Sequence, residues 1–238
     1  MSVLATIGAL LRDLAARGMA TLDAIVEGVR SYCAGDAATR RRVAFSVAMI
    51  ALSAKMAKAD GVVSQREIDA FRRIFAIPPE ELRNVFRLYD LAAQDTAGFE
   101  AYAARIAGLC DAENGEQSIL VDVLDGLFHI AGADGHVHER ELVFLRRIGE
   151  IFELSPAAFA QIEARHVKGE ARDAYAVLGV EPDDPPEAIR RSYLKLVREN
   201  HPDRLLARGV PEEFLAIATE RMKAINAAFA SVSRVPAH

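Results

Sequence analysis

Two acidic patterns in the sequence contain the residue types of a cation site. An Asp-Gly pair at Asp60 is followed by Glu67, and an Asp-Gly pair at Asp134 is followed by Glu141 at the same spacing. The second half of a calcium-binding EF-hand loop has this spacing, but such a loop needs several oxygen ligands around one ion. The earlier ligand positions fall on side chains that offer no carboxylate: Met56, Lys58, Ile130 and Gly132. These four acidic residues are therefore only weak metal candidates. We expect two tight turns, in which glycine takes a positive φ and glutamate faces the next helix.

The two patterns belong to an internal repeat. Residues 57–68 align with residues 131–142, an offset of 74 residues. Each copy is predicted to form a helix, a turn and a second helix, and the two copies are expected to have the same conformation. In the first copy Ser64 and Glu67 are predicted to form a capping box. In the second copy His138 replaces the serine, which predicts that the box is lost. With His129 and His136 nearby, a transition-metal site is a less favoured alternative.

A His-Pro-Asp tripeptide near the C-terminus combines an imidazole with a carboxylate. His201 and Asp203 could exchange protons, but Pro202 separates them and no third catalytic partner is evident. The sequence contains no nucleophile elbow, phosphate-binding glycine loop or zinc-protease motif, so we expect no enzymatic activity. The two cysteines, Cys33 and Cys110, are far apart, which argues against a disulfide framework or zinc knuckle and favours a reducing compartment.

The tripeptide follows a helix with one apolar and one basic side. This helix is predicted over Glu187 to Glu199, with Asp184 as its N-cap and Pro185 in its first turn. It should end before Pro202, which disfavours helix at the preceding residue. An exposed loop is expected from Arg204 to Pro211, followed by a third helix. The basic side carries four residues: Arg190, Arg191, Lys195 and Arg198.

Composition and periodicity place these motifs in an all-α protein. The chain has 238 residues, of which 51% are hydrophobic, and a net charge of −5. This charge makes nucleic acid an unfavourable partner. Apolar residues recur at helical spacing, and no segment alternates like a strand. Breaks in the pattern divide the chain into an amphipathic helical segment over 1–35, a helical domain over 36–166 and a module over 171–233. No apolar stretch reaches the length of about 20 residues that a membrane span needs, so the first helix is expected to dock on the protein.

The repeat resembles the TerB-like domain of tellurite-resistance and related proteins. The resemblance covers residues 36–166 and depends on the Asp-Gly units at Asp60 and Asp134 with Glu67 and Glu141. It implies a helical bundle. A metal- or tellurite-responsive binding protein is the alternative function that this domain suggests.

The C-terminal module resembles a J domain, the Hsp70-stimulating module of the DnaJ family. The basic helix, the tripeptide His201-Pro202-Asp203 and the Ile-Asn-x-Ala-Phe ending at Phe229 match the family, and the domain order matches DjlA-type proteins. The resemblance implies a J-domain helical hairpin and docking on the ATPase domain of an Hsp70 (DnaK), whose ATP hydrolysis it stimulates. Asp203 would meet a cationic side chain, Pro202 would stiffen the loop, and His201 would orient it. The basic side chains would meet an acidic patch, while the module's core would contain Tyr175, Leu178, Tyr193, Leu196, Ile225 and Phe229.

The same resemblance suggests what surrounds this activity. No cofactor is expected, and the TerB-like domain would select a client protein or a cellular location. We expect a cytoplasmic protein without a membrane span. Peripheral association with the inner membrane and a homodimer are left open.

Overall fold

The computed structural model describes residues 3–17, 21–32, 37–60, 77, 79–94, 98–110, 118–167 and 172–233. Regular structure in these residues is α- or 3-10 helix, which confirms the predicted all-α class. The first five described helices are α1 (Val3–Ala16), α2 (Leu22–Tyr32), α3 (Ala37–Asp60), α4 (Leu82–Gln94) and α5 (Phe99–Cys110).

Helix α3 is the central element of the larger core. Its residues are buried without a break from Val43 to Ala57. A helix that is apolar on all sides needs neighbours on all sides, and α1, α4 and α5 pack against it. Helix α1 buries the predicted apolar side in this core: Val3, Leu4, Ile7, Leu10, Leu11 and Leu14. The predicted docking of the N-terminal helix is thus confirmed.

The second Asp-Gly turn lies between α6 (Ser118–Ala131) and α7 (Glu139–Ile151). Gly135 has φ of +106°, as predicted for this turn. The buried Glu141 carboxylate accepts the backbone N–H of His138 at 2.8 Å. The prediction that His138 abolishes the capping box is therefore wrong: the box is present, and Glu141 satisfies the backbone N–H of the N-cap residue at the start of α7. The first copy, including Gly61 to Ile74, lies outside the described residues, so the expected superposition stays a prediction.

The C-terminal module follows α8 (Pro156–His166). It contains α9 (Arg172–Leu178), α10 (Pro186–Glu199), α11 (Pro202–Arg208) and α12 (Leu215–Val232). A turn with Gly179 at φ +65° ends α9, as predicted from the glycine.

Two details of the module differ from the prediction. Pro185 is the N-cap of α10, because Asp184 instead accepts the backbone N–H of Glu181 at 2.9 Å and closes the preceding turn. The predicted loop after the tripeptide is wrong over its first part, since Pro202 to Arg208 form the short helix α11. Pro202 at its first position and the left-handed Gly209 after it supply the ordinary start and stop signals.

The described apolar core has two parts. A small cluster joins α9, α10 and the second half of α12, and it includes Leu178, Leu196 and Ile225. Tyr175, Tyr193 and Phe229 pack against this cluster, so the predicted core residues of the module are confirmed. The larger cluster contains α1 and α3, and it extends into the C-terminal module through Leu205, Val210, Phe214, Ile217 and Ala218. Phe214 meets Phe45 of α3 edge-on, with ring centroids 4.7 Å apart.

Candidate functional site

The His-Pro-Asp tripeptide forms the beginning of α11. His201 is the N-cap, with extended backbone dihedrals, and its Nδ1 accepts the backbone N–H of Asp203 at 3.3 Å. The Asp203 side chain is 87% exposed, and its Oδ2 lies 3.5 Å from His201 Nδ1. Asp203 lies in the first turn, where the helix dipole favours a carboxylate. The tripeptide thus displays a carboxylate at a fixed angle to the protein surface.

Helix α10 precedes the tripeptide in the sequence, and its basic side is exposed to solvent. Its four residues, Arg190, Arg191, Lys195 and Arg198, are all exposed. Arg191 and Lys195 lie 4.0 Å from Glu187 and Glu199, contacts at the limit of an ion pair. Such exposed pairs contribute little, so the cationic groups are available to a partner. All four basic side chains predicted for docking are therefore exposed on α10.

The opposite side of α10 fixes this helix against its neighbours. The rings of Tyr193 and Phe229 stack with centroids 4.0 Å apart, and the Tyr193 hydroxyl donates to Asn226 Oδ1 at 3.1 Å. The hydroxyl of Ser192 donates to the carbonyl of Leu178 at 2.6 Å. These contacts to α9 and α12 restrict rotation of α10, which keeps its basic side outward.

A buried charged network lies directly behind the tripeptide. Arg221 of α12 donates from Nη1 to Asp122 Oδ1 at 2.7 Å and to Asn200 Oδ1 at 2.8 Å, and from Nε to Asp125 Oδ2 at 2.8 Å. Asp125 Oδ1 also accepts two hydrogen bonds from Arg165, at 3.0 and 2.8 Å. His166 Nε2 lies 3.1 Å from the same oxygen. A buried charge requires partners of this kind.

Of the four weak metal candidates, the structure describes the side chain of Glu141. Within the part of the chain that the structure describes, no group of three or more His, Cys, Asp or Glu side chains could hold an ion. Glu141 is occupied by the start of α7. The side chains of Asp60 and Asp134, and all of Glu67, lie outside the described residues. The metal site therefore stays a prediction.

Two family models match the chain. The model of tellurite resistance protein TerB matches residues 46–164, and the model of the DnaJ domain matches residues 173–234. The chain belongs to the TerB family. A DnaJ domain follows its TerB domain, which confirms the domain order predicted from the resemblance to DjlA-type proteins.

Curated relatives match much of the chain and are named as co-chaperones. A co-chaperone protein DjlA of Photobacterium profundum is 27% identical over 79% of this chain and 76% of its own length. That of Aliivibrio fischeri is 26% identical over 82% of this chain and 80% of its own. That of Escherichia coli K12 is 33% identical over 42% of this chain and 45% of its own length. No solved structure matches the chain.

The buried network connects the TerB domain to the DnaJ domain, and it was not predicted from the sequence. Asp122 and Asp125 belong to the TerB domain, whereas Asn200 and Arg221 belong to the DnaJ domain. Two signals were available in the sequence. Both aspartates stand inside the apolar pattern of α6, and Arg221 stands between the core positions Ala218 and Ile225 of α12. Charges at core positions are rarely buried unless they are paired.

The network sets the charge state of its members. Burial alone would raise the pKa of Asp125, but the Arg165 and Arg221 guanidinium groups, assisted by His166, hold that pKa well below its ordinary value. Burial lowers the pKa of Arg165, and Asp125 opposes this shift. For Arg221 burial acts in the same direction, but Asp125 and Asp122 outweigh it and raise the pKa. Asp125 and Arg221 are therefore charged at neutral pH.

Among the residues that the structure describes, no helix is long and apolar enough to cross a membrane.

Proposed function

We propose that this chain is an Hsp70 co-chaperone whose DnaJ domain docks on the ATPase domain of an Hsp70 and stimulates ATP hydrolysis. The observation that carries this proposal is the intact tripeptide at the start of α11, with the Asp203 carboxylate 87% exposed. The DnaJ family match and the DjlA relatives support the same role. The chain would itself catalyse no reaction, since it acts on the ATPase of its partner.

Asp203 is the central docking residue in this proposal. A carboxylate held at a fixed angle makes a strong, short contact with a cationic side chain of the partner. His201 contributes by capping α11 through the Asp203 N–H, and Pro202 fixes the first helical φ. The three residues thus act as one rigid unit.

The basic side of α10 would meet an acidic patch on the Hsp70. Arg190, Arg191, Lys195 and Arg198 are exposed and lie on a helix whose other side is fixed by the small apolar cluster. Complementary charge increases the rate of encounter more than the final affinity. This surface would therefore guide the approach, and Asp203 would complete the docked complex.

The TerB domain would determine where or on which client the Hsp70 acts. Client binding, homodimerisation and a cytoplasmic location remain predictions.

The experiment that tests this function compares Asp203→Asn with Asp183→Asn in the full chain. Both residues are exposed in the DnaJ domain, but Asp183 lies in the loop before α10. Single-turnover ATP hydrolysis by a bacterial Hsp70 is measured over a range of co-chaperone concentrations. We expect D183N to stimulate as the wild type does. D203N should lose at least about 30-fold in apparent affinity, because one partner of a desolvated charge pair is removed.

Circular dichroism is the folding control, and both variants should have the wild-type spectrum. Full stimulation by D203N would overturn the assignment of Asp203, and a wild-type chain that stimulates no Hsp70 would overturn the function itself.

A further inference from the structure

One carboxylate of the TerB domain faces both ends of the segment that displays the tripeptide. Asp122 lies on α6, where its side chain is 2% exposed. Its Oδ1 accepts a hydrogen bond from Arg221, and its Oδ2 lies 3.7 Å from Nη1 of Arg208. Asp122 Oδ2 accepts no hydrogen bond, although it is buried. Asp122 thus contacts two arginines, through a hydrogen bond from Arg221 to Oδ1 and through the charge of Arg208 near Oδ2.

The Oδ1 contact reaches the residue before the tripeptide. The same Nη1 of Arg221 that donates to Asp122 also donates to Asn200 Oδ1 at 2.8 Å. Asn200 ends α10 and donates from Nδ2 to the carbonyl of Leu196 at 2.7 Å. Its position is therefore fixed from both sides, and His201 is the next residue.

The Oδ2 contact reaches the last residue of the tripeptide helix. Arg208 ends α11 and donates from Nη2 to the carbonyl of Glu199 at 2.8 Å. This bond closes the segment on itself by joining the end of α11 to the end of α10. Asp122 attracts the same guanidinium group, so one TerB-domain charge draws both ends of the segment inward.

Apolar contacts hold the underside of α11 on the TerB domain as well. Leu205 is 1% exposed within the larger core cluster, whereas Asp203 on the outer side is 87% exposed. Gly209 has φ of +102°, and a Cβ there would lie 2.8 Å from Arg41 Cβ of α3. The short helix is therefore seated against the bundle, and only its outer side is presented to a partner.

We infer that Asp122 is a positioning residue for the His-Pro-Asp tripeptide, so that the TerB domain sets the docking competence of the DnaJ domain. This inference rests on the proposed function. A docking group that is already ordered loses less entropy on binding, which strengthens the complex without adding a contact. Loss of the Asp122 charge should loosen residues 201–208 and weaken docking, while Asp203 itself stays intact.

The test compares Asp122→Asn with Asp125→Asn in the full chain. Both changes remove one negative charge from a buried carboxylate on the same helix, one turn apart. Asp125 makes four hydrogen bonds, two with Arg165 and one each with Arg221 and His166, and none of the four goes to Asn200 or Arg208. D125N is thus at least as disruptive to the network, yet it removes no direct contact to either end of the segment.

Two readouts separate positioning from general destabilisation. Hydrogen exchange of the backbone amides of residues 203–208 is measured without any partner. The half-saturating concentration for stimulation of a bacterial Hsp70 is measured per folded protein. We expect D122N to raise both the exchange rate and the half-saturating concentration about tenfold, the size of a coupling of roughly 1.4 kcal/mol. D125N should change each by less than about twofold, whatever its unfolding temperature.

A second variant keeps the inference testable if D122N does not fold. Arg208→Met retains most of the apolar stem of a side chain that is 21% exposed and removes both contacts of its guanidinium group. R208M should also raise the exchange rate and the half-saturating concentration. In the double variant, D122N should increase either quantity little further. Equal effects of D122N and D125N, or unchanged exchange in both D122N and R208M, would overturn the inference. Exchange needs no Hsp70, so a failure of the proposed function would appear separately, as a wild-type chain that does not stimulate.

Discussion

Aspartates in this protein have two opposite environments, and each environment determines a role. Asp203 is exposed at the start of a short helix, where its charge is available to a partner. The side chains of Asp122 and Asp125 are 2% and 1% exposed and contact guanidinium groups, so their charges stabilise the interior of the protein. Removing one partner of a buried pair costs about 3–5 kcal/mol, much more than the loss of an exposed one. The buried aspartates should therefore dominate stability and Asp203 should dominate docking.

Acid should reveal the contribution of Asp125. Its pKa is well below the ordinary value of 3.8, because Arg165 and Arg221 outweigh the effect of burial. A depressed folded-state pKa means that the stabilising contribution is complete above the ordinary pKa. This stabilising contribution is lost as the pH falls from the ordinary pKa through the pKa of the folded state. We predict that Asp125→Asn lowers the unfolding temperature at pH 7 and flattens its decline below about pH 4.

Thermal unfolding of wild type and D125N between pH 7 and pH 3 checks this prediction. Parallel declines in the two proteins would mean that another group carries the acid sensitivity.

Among the elements, those with a repeated apolar pattern could be predicted from the sequence. The spacing of Leu4, Ile7 and Leu11 predicts a docked α1, and the apolar side of α10 predicts a buried face, which packs on α12 in the structure. Helix α11 has only seven residues, too few for periodicity to appear, and a single buried residue, Leu205. Its start signals, Pro202 and the cap at His201, are present in the sequence, but a proline after a long helix equally indicates a helix stop.

The exposure of Asp203 and of the basic side chains could also be predicted, because it depends on local sequence. The network behind them could not, since Asp122 and Arg221 are 99 residues apart in sequence. A charge at a core position indicates that a partner must exist, but periodicity does not identify it. The capping box before α7 was not predicted, because the substitution at His138 hides the contribution that Glu141 makes to the box.

The Asp-Gly turn between α6 and α7 allows a direct test of element structure. Gly135 has φ of +106°, and a Cβ added there would have no heavy atom within 4 Å, so alanine would meet backbone strain alone. Gly132 is three residues earlier, and a Cβ there would make an ordinary contact of 3.8 Å with Val137. We predict that Gly135→Ala destabilises the protein by about 1–2 kcal/mol, and that Gly132→Ala is near neutral.

Urea unfolding midpoints of the two variants measure this difference. If G135A were as stable as G132A, the turn would tolerate a rearranged backbone, and the predicted need for glycine in both repeat copies would be lost.

At the scale of the whole molecule, the DnaJ domain does not pack independently of the TerB domain. Five residues of the DnaJ domain bury their side chains in the same cluster as α1 and α3: Leu205, Val210, Phe214, Ile217 and Ala218. The second half of α12 belongs to the separate small cluster with α9 and α10. The sequence alone suggests two successive units, because hydrophobic periodicity shows that a face is buried without showing against which partner. Docking of an Hsp70 on α10 and α11 would therefore place it at a fixed orientation to the TerB domain.

Two phenylalanines of the DnaJ domain should distinguish these clusters. Phe214 is fully buried in the larger cluster and meets Phe45 edge-on, whereas Phe229 is half-buried in the small cluster and stacks on Tyr193. We predict that Phe214→Ala destabilises the TerB domain, by about 3–5 kcal/mol as for other buried aromatics. Phe229→Ala should destabilise chiefly α9, α10 and the end of α12.

Hydrogen exchange at increasing urea, followed in α3 and in α10, resolves the two effects, because regions of one protein can open with separate free energies. In F214A the amides of α3 should exchange faster than in the wild type, even though the substitution lies in the DnaJ domain. In F229A the amides of α3 should keep their protection while those of α10 lose it. Wild-type protection of α3 in F214A would show that Phe214 adds nothing to the stability of the larger core, and the orientation between the two domains would then depend on their remaining contacts, chiefly the buried charged network.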